Sequence, residues 1–302
     1  MRFIVSKGKV RIDKFLSSKI LDKSRSFLQK IIREGKVHVG GLVVGQGYVV
    51  KSKDVISIDL KDEGASILKK ENLKLRIIFE DKDIIVLEKP LGIAVHPAEG
   101  KNSGTLVNAL LDKLDIEIKN KRPGIVHRLD KDTTGLLVIA KNEKSLVNLQ
   151  KQFQDREVEK RYLVLVYGHV YPKHGEINIP IGKGQDKTKR KPAEEGKGSV
   201  TKFEVIEYIK HDGAEYTLAE ASLITGRTHQ IRVHFKSIGF PVVGDKDYSL
   251  KKYMALDEKL GLDRQFLHAY KLGFHHPKTG KWVGFVSDLP QDLNDVLKYL
   301  KS

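Results

Sequence analysis

The 302-residue chain has no cysteine. Disulfides, thiolate zinc sites and a cysteine nucleophile are therefore excluded. Methionine occurs twice and tryptophan once. The start, Met1-Arg2-Phe3-Ile4-Val5-Ser6-Lys7, leads into no long apolar stretch, which argues against a secretory signal. The longest apolar runs, such as 136–140, are strand-sized and too short to span a bilayer. These absences lead us to expect a cytoplasmic protein with no membrane partner. No internal repeat of fixed period is found. Acidic charge is also short: 39 Asp and Glu stand against 55 Lys and Arg, a formal net charge of +16. A chain this basic gains free energy on a polyanion, because each phosphate it neutralises releases condensed counterions. Net charge also serves plain solubility, so it names no partner by itself.

The surplus is uneven. Residues 1–60 hold 13 Lys and Arg against 5 Asp and Glu, a surplus of 8. There Ile12, Phe15, Leu16 and Ile20 have helical spacing. A second helix is expected over 24–34, with Ser24 as N-cap, Gly35 as stop and an apolar face of Phe27, Leu28, Ile31 and Ile32. Residues 37–39 and 42–44 around Gly40-Gly41 read as a hairpin with a two-residue turn, and 55–58 as a further strand. Residues 61–72 have no clear period and are expected to be a linker. Beyond them, strand-like runs recur at 75–79, 84–87, 124–126, 136–140, 162–167, 216–224, 229–235 and 282–286. Helical stretches are fewer: 103–113, 143–154 and 289–301. Residues 183–198 read as a long basic loop or hairpin tip. Strands with helices set among them predict an α+β domain over 73–302, with a mixed, largely antiparallel sheet. Trp282 is expected in its core.

The first module resembles the S4 RNA-binding domain in Arg11-Ile12-Asp13-Lys14-Phe15-Leu16, Ser24-Arg25-Ser26 and Gly35-Lys36-Val37-His38-Val39-Gly40-Gly41. The resemblance implies an S4-like domain at 1–60 that contacts RNA through Arg11, Lys14, Arg25, Lys30 and Arg33. Any one of these suits an ordinary solvated helix face. Their clustering is what favours RNA.

The densest polar motif runs Gly124-Ile125-Val126-His127-Arg128-Leu129-Asp130-Lys131-Asp132-Thr133-Thr134-Gly135-Leu136-Leu137. A polar loop held by two apolar strands is how a scaffold presents catalytic side chains. Asp and Thr before Gly also form plain turns. The whole string resembles the central motif of the RluA family of RNA pseudouridine synthases, with Thr134 where that family usually has serine. Further matching blocks are Glu88-Lys89-Pro90-Leu91-Gly92, Arg122-Pro123-Gly124, Glu159-Lys160-Arg161-Tyr162-Leu163, Thr225-Gly226-Arg227-Thr228-His229-Gln230-Ile231-Arg232-Val233-His234, Gly239-Phe240-Pro241-Val242-Val243-Gly244-Asp245 and Leu267-His268-Ala269. Together they span almost the entire chain. The resemblance implies a pseudouridine synthase-like catalytic domain with Asp130 as catalytic carboxylate, Tyr162 as its companion and Arg232 as its basic partner. It places His127, Arg128, Arg227 and Leu267 around the substrate. It also implies a monomer whose partner is large-subunit ribosomal RNA or its assembly precursor. Residues 92–97 and 105–110 are closer to RluD-like than to RluC-like members. Residues 187–195 depart from the RluD-like pattern, which leaves the target uridines open.

The chemistry fits those residue types. Isomerisation breaks the N1–C1′ bond of uridine, turns the base and joins C5 to C1′. Positive charge builds at C1′, and a carboxylate beside it can stabilise that charge or attack covalently. An arginine keeps such a carboxylate ionised against burial. A flat tyrosine ring can carry the uracil, and its hydroxyl can serve proton transfer at C5. The target base must leave its stack, and Arg128 is suited either to fill the gap or to form a structural salt bridge. No redox change or energy input is needed, so no cofactor and no metal are expected. His229 and His234, five apart in a strand-like run, would point to opposite faces, against a shared metal. Two other readings remain: a non-catalytic RNA clamp that serves ribosome assembly, and a nucleoside hydrolase, which would want a second placed carboxylate.

Overall fold

The computed structural model describes residues 1–6, 8–20, 25–59, 68–97, 103–116, 122–186 and 188–302. The chain divides into two compact units, Met1–Ile67 and Leu68–Ser302.

In the first unit, β1 (Arg2–Ile4) and β2 (Val10–Arg11) precede α1 (Ile12–Lys19) and α2 (Arg25–Arg33). Four short strands follow: β3 (Val37–Val39), β4 (Leu42–Val43), β5 (Val49–Val50) and β6 (Val55–Ile58). An antiparallel sheet has the order β1-β6-β3-β4, and β2 pairs with β5. The helical spacing becomes a core: Ile12, Leu16, Ile20, Leu28, Ile31 and Ile32 bury against Val37, Val39 and Ile56. The β3–β4 turn is Gly40-Gly41, with φ of +57° and +88°. Two successive positive φ angles match the twist of the paired strands, and glycine adopts them without steric cost. Ser24, the expected N-cap, lies outside the described residues, as do 61–67 of the expected linker. Residues 68–72 depart from that expectation. Leu68 is buried, the Lys69 carbonyl accepts from the Asn108 side chain, and the Glu71 carboxylate accepts the Gly104 N–H. An apolar side chain and two backbone-to-side-chain bonds thus tie this stretch into the second unit.

The second unit begins with the hairpin β7 (Arg76–Glu80) and β8 (Ile84–Lys89), then α3 (Leu106–Leu110), β9 (Thr134–Ala140), α4 (Glu143–Asp155) and β10 (Glu159–Tyr167). Next come β11 (His174–Asn178), the small hairpin β12 (Ile181–Lys183) and β13 (Arg190–Pro192), β14 (Val200–His211) and β15 (Ala214–Leu223). It closes with α5 (Gln230–Ser237), α6 (Met254–Lys259), β16 (Leu267–His275), β17 (Trp282–Val286) and α7 (Gln291–Lys301). The main sheet runs β11-β14-β15-β10-β16-β9-β8-β7, with β17 on β16. Only the β9–β16 junction is parallel, so the sheet is mixed and largely antiparallel.

Alternation along each strand sorts side chains onto two faces. Ile85, Leu87, Leu137, Ile139, Tyr162, Val164 and Val166 point to the face covered by α3, α5 and Leu129. Ile84, Val86, Leu136 and Val138 pack with Leu146 and Leu149 of α4 on the other face, where Leu165 and Tyr167 meet α7. Both faces are covered, which is why β9 is buried along its whole length.

Several expectations are corrected. Residues 229–235 form a helix start, not a strand. Gln230 through Phe235 are all buried, so apolar residues at 231, 233 and 235 match period 2 while the segment satisfies period 3.6. Residues 124–126 make a single bridge, Ile125 to Ile139, rather than a strand. Trp282 is half exposed on β17, laid over Gly273 of β16 and against His275. No helix among the described residues is long and apolar enough to cross a membrane.

Candidate active site

The 124–135 loop is anchored at both ends by glycines that admit no side chain. A Cβ on Gly124 (φ +71°) would meet the Ala140 carbonyl oxygen at 2.4 Å, and one on Gly135 (φ +118°) the Ala269 oxygen at 2.3 Å. Between them the loop is clamped from several sides. The Val138 N–H donates to His127 Nε2 at 3.1 Å, which leaves the ring proton on Nδ1. Burial, with Lys160 nearby, pushes His127 down to about 3, so it is a neutral strut stacked on Phe153. Thr133 N–H closes a turn on the Asp130 carbonyl, and Gln265 donates to Thr133 Oγ1. Thr134 Oγ1 meets His268 Nδ1 at 2.9 Å, so the hydroxyl at this position is used. Arg264, nearly fully buried, reaches the Asp132 carbonyl and is held by Asp292 of α7. From beneath, the buried Lys89 ammonium donates to the carbonyls of Pro90, Ile93 and Lys131.

This clamping presents the Asp130 side chain at the mouth of α5. Arg232 Nη1 lies 3.5 Å from Asp130 Oδ2, and His229 Nε2 lies 3.9 Å from Oδ1. The expected Asp130–Arg232 pair is thus present, but it is the looser of Arg232's contacts. The guanidinium is gripped by Asp245, at 2.7 Å from Nε and 2.6 Å from Nη2, and by Asp247 at 2.9 Å. Burial works against the Arg232 charge, and the Asp245 carboxylate more than restores it, so its pKa is raised. Burial also lowers His229, with the Asp130 charge pulling the other way. Tyr162, on β10, is buried in the core face beside Leu129 and Leu267. Burial, then the Asp130 charge, raises its phenol pKa.

Asp130 and Tyr162 line both a tight recess and an open cleft. The recess also holds Arg128, Arg227, His229, Arg232 and Leu267. The cleft, about 540 Å³, is walled by His96, Arg122, Arg128, Arg156, Lys160 and Arg227. The structure therefore brings together Asp130, Tyr162, Arg232, Arg128, Arg227 and Leu267, with His127 as a support in the cleft wall. Arg128 is exposed and forms no salt bridge among the described residues.

The first-unit residues divide differently. Asp13 is fully buried and takes bonds from Arg11, Arg25 and Gln29. Arg11 and Arg25 are thus half-exposed structural partners, and Lys30 pairs with Glu34 at 3.6 Å. Lys14 and Arg33 stand exposed.

Sequence reasoning left out Lys89, His229, Asp245, Tyr248 and Arg264. The first three sat inside quoted motif blocks, which was their only signal. The argument against a shared metal at His229 and His234 assumed a strand, where the structure has the start of a helix. On the helix, both ring nitrogens of His234 are engaged, by Thr201 and the Ile179 carbonyl.

A clamped carboxylate loop over one face of a mixed sheet, with a basic cleft leading to it, has the form of an enzyme that works on RNA. Comparison with known proteins gives the family. Residues 83–237 match the RNA pseudouridylate synthase family and 10–56 the S4 domain, and the chain belongs to that family as an RNA pseudouridine synthase. It is 41% identical to an uncharacterized RNA pseudouridine synthase of Aquifex aeolicus, covering 100% of this chain and 97% of that one. It is 38% identical to ribosomal large subunit pseudouridine synthase D of Zymomonas mobilis, covering 96% and 93%. Among solved structures, human RNA pseudouridylate synthase domain containing 4 superposes with a TM-score of 0.58 at 26% identity, covering 74% and 92%.

Proposed function

We propose that this enzyme isomerises uridines of large-subunit ribosomal RNA, with Asp130 as the carboxylate that acts at C1′. The observation that carries the reading is Asp130 at the junction of a basic cleft and a tight recess, between Tyr162 and Arg232. A flipped uridine enters the cleft against Asp130 and Tyr162, and its backbone lies along the arginines and lysine of the wall. As the N1–C1′ bond breaks, the Asp130 carboxylate meets the charge developing at C1′. The uracil leaves with the N1–C1′ electron pair, turns over Tyr162 and bonds C1′ through C5; C5 then loses one proton and N1 gains one, so the isomerisation releases no proton overall. The raised phenol pKa means that Tyr162 enters the reaction protonated, as a platform and hydrogen-bond donor. Arg232, fixed by Asp245, offers Asp130 a charge without having to be oriented at the moment of reaction. Arg128, exposed in the cleft wall, is the side chain we assign to fill the gap the uridine leaves. The names of the relatives from Zymomonas mobilis and Buchnera aphidicola support the large-subunit assignment.

The test is site-resolved pseudouridine mapping of RNA from cells with the gene, without it, and carrying Asp130→Asn. Loss at the same large-subunit positions in the last two supports the reading, with activity in vitro down at least about a thousandfold. An unchanged ribosomal map with changed transfer RNA would replace the substrate. A map unchanged in both, with RNA binding intact, would favour the RNA clamp.

A further inference from the structure

The cleft accounts for Asp130, Arg232 and the basic wall, but not for a buried chain of contacts behind them. Tyr248 is 4% exposed. Its hydroxyl oxygen accepts the backbone N–H of Arg190, on β13, at 2.7 Å. The same hydroxyl lies 2.8 Å from His229 Nδ1. The Tyr248 N–H is fixed by Asp245 Oδ1, and the Arg232 guanidinium lies over its ring, 4.9 Å from the centroid.

The hydrogen-bond pattern favours one tautomer. A phenol has one proton to give. With Arg190 N–H already donating to the oxygen, the O–H is free to donate to His229 Nδ1. Nδ1 is then an acceptor, and the proton of the neutral imidazole sits on Nε2. That is the nitrogen facing Asp130. The alternative tautomer would turn a lone pair toward a carboxylate, which electrostatics disfavours. The charged groups acting on this ring are Asp130 of the loop, Arg232 of α5, and Asp245 and Asp247 of the following segment. All are accounted for by the contacts described above.

Resting on the proposed role of Asp130, we propose that Tyr248 is a positioning residue that holds His229 with its Nε2 proton directed at the Asp130 carboxylate, and that the β12–β13 hairpin sets this arrangement through Arg190. The hairpin is placed to sense RNA. Lys183, Arg190 and Lys197 line with Arg227 a basic recess of about 400 Å³, which shares residues 226–228 with the cleft. Lys189 also meets Asp247, an Arg232 partner, at 3.3 Å. A strand seated in this recess therefore bears on the hydrogen bond that fixes the imidazole.

Two measurements on the full chain test this. In ¹⁵N-histidine NMR, with the His229 signals assigned by their loss in His229→Gln, the wild type shows Nε2 protonated and Nδ1 bare. Tyr248→Phe, which keeps the ring, moves proton population onto Nδ1. In kinetics on a ribosomal RNA fragment, Tyr248→Phe lowers kcat about tenfold, the worth of one orienting hydrogen bond, with KM unchanged. In the His229→Gln background, where the amide carries a donor whatever Tyr248 does, the same change alters kcat less than about twofold. A wild-type proton on Nδ1, an unchanged kcat, or full additivity of the two substitutions would overturn the proposal. The NMR result needs no turnover, so an error in the reaction assignment would show separately, as an inactive wild type with the expected tautomer.

Discussion

Lys89 shows how much a single buried side chain can hold. Its three N–H groups match three carbonyl acceptors, one of them 42 residues away in the Asp130 loop. Burial pushes its pKa down to about 7, against the pull of the Asp132 and Asp130 carboxylates. Lys89→Met keeps the volume of the stem and leaves those carbonyls without their donor. Each orphaned buried acceptor costs on the order of 1 kcal/mol or more, so about 3 kcal/mol of stability is expected to go, read from urea midpoints. The sign of the pH effect follows from linkage. A folded pKa below the unfolded one means that the unfolded chain binds more protons between about pH 7 and the ordinary lysine value of 10.5. Wild-type stability therefore rises across that window, and the methionine variant lacks this contribution. Asp130, Tyr162 and Arg232 could be singled out in the sequence because a family motif surrounds them. The work of Lys89, Asp245 and Tyr248 could not, because it consists of contacts with distant segments that no local pattern encodes.

Elements were legible where one face is dry and the other wet. The helices 143–154 and 289–301 were placed to within two residues of α4 and α7, and the Gly40-Gly41 hairpin was read in its observed register. Reading failed at α5, whose residues 230–235 are buried on every side and so carry no single period. It missed β14, where the alternation of Phe203 and Val205 with Lys202 and Glu204 slips at a bulge between Val205 and Glu207. In the first unit, α1 and α2 are tied by one buried carboxylate. Burial alone would raise the Asp13 pKa, but the bonds from Gln29 and Arg25 and the charges of Arg11 and Arg25 hold it at about 2. A folded pKa below the ordinary 3.8 gives stability that is fully present above about pH 4 and is lost as pH falls toward 2. Asp13→Asn is expected to cost about 2 kcal/mol at neutral pH. That difference from wild type should shrink between pH 4 and pH 2 in hydrogen exchange of the α1 and α2 amides. A difference that stays constant with pH would assign Asp13 a packing role alone.

At the scale of the whole molecule, the charge surplus needs dividing between structure and binding. Arg11 and Arg25 are committed to Asp13, and Lys30 to Glu34. Removing the two arginines would confound RNA affinity with folding. Lys14 and Arg33 are exposed, without bonded side-chain partners among the described residues, so their charge is available to phosphates. The double variant Lys14→Gln, Arg33→Gln should therefore keep wild-type thermal stability and weaken RNA binding. If each residue neutralises one phosphate, the plot of log affinity against log salt becomes shallower by about 1.5. At saturating RNA, kcat should not change, because neither residue belongs to the unit that carries Asp130. By contrast, Arg156→Gln in the cleft should lower affinity and also reduce kcat, since that side chain lines the same wall as Asp130. Equal effects of both variants on kcat would mean that the S4 unit acts in the chemical step as well as in holding RNA.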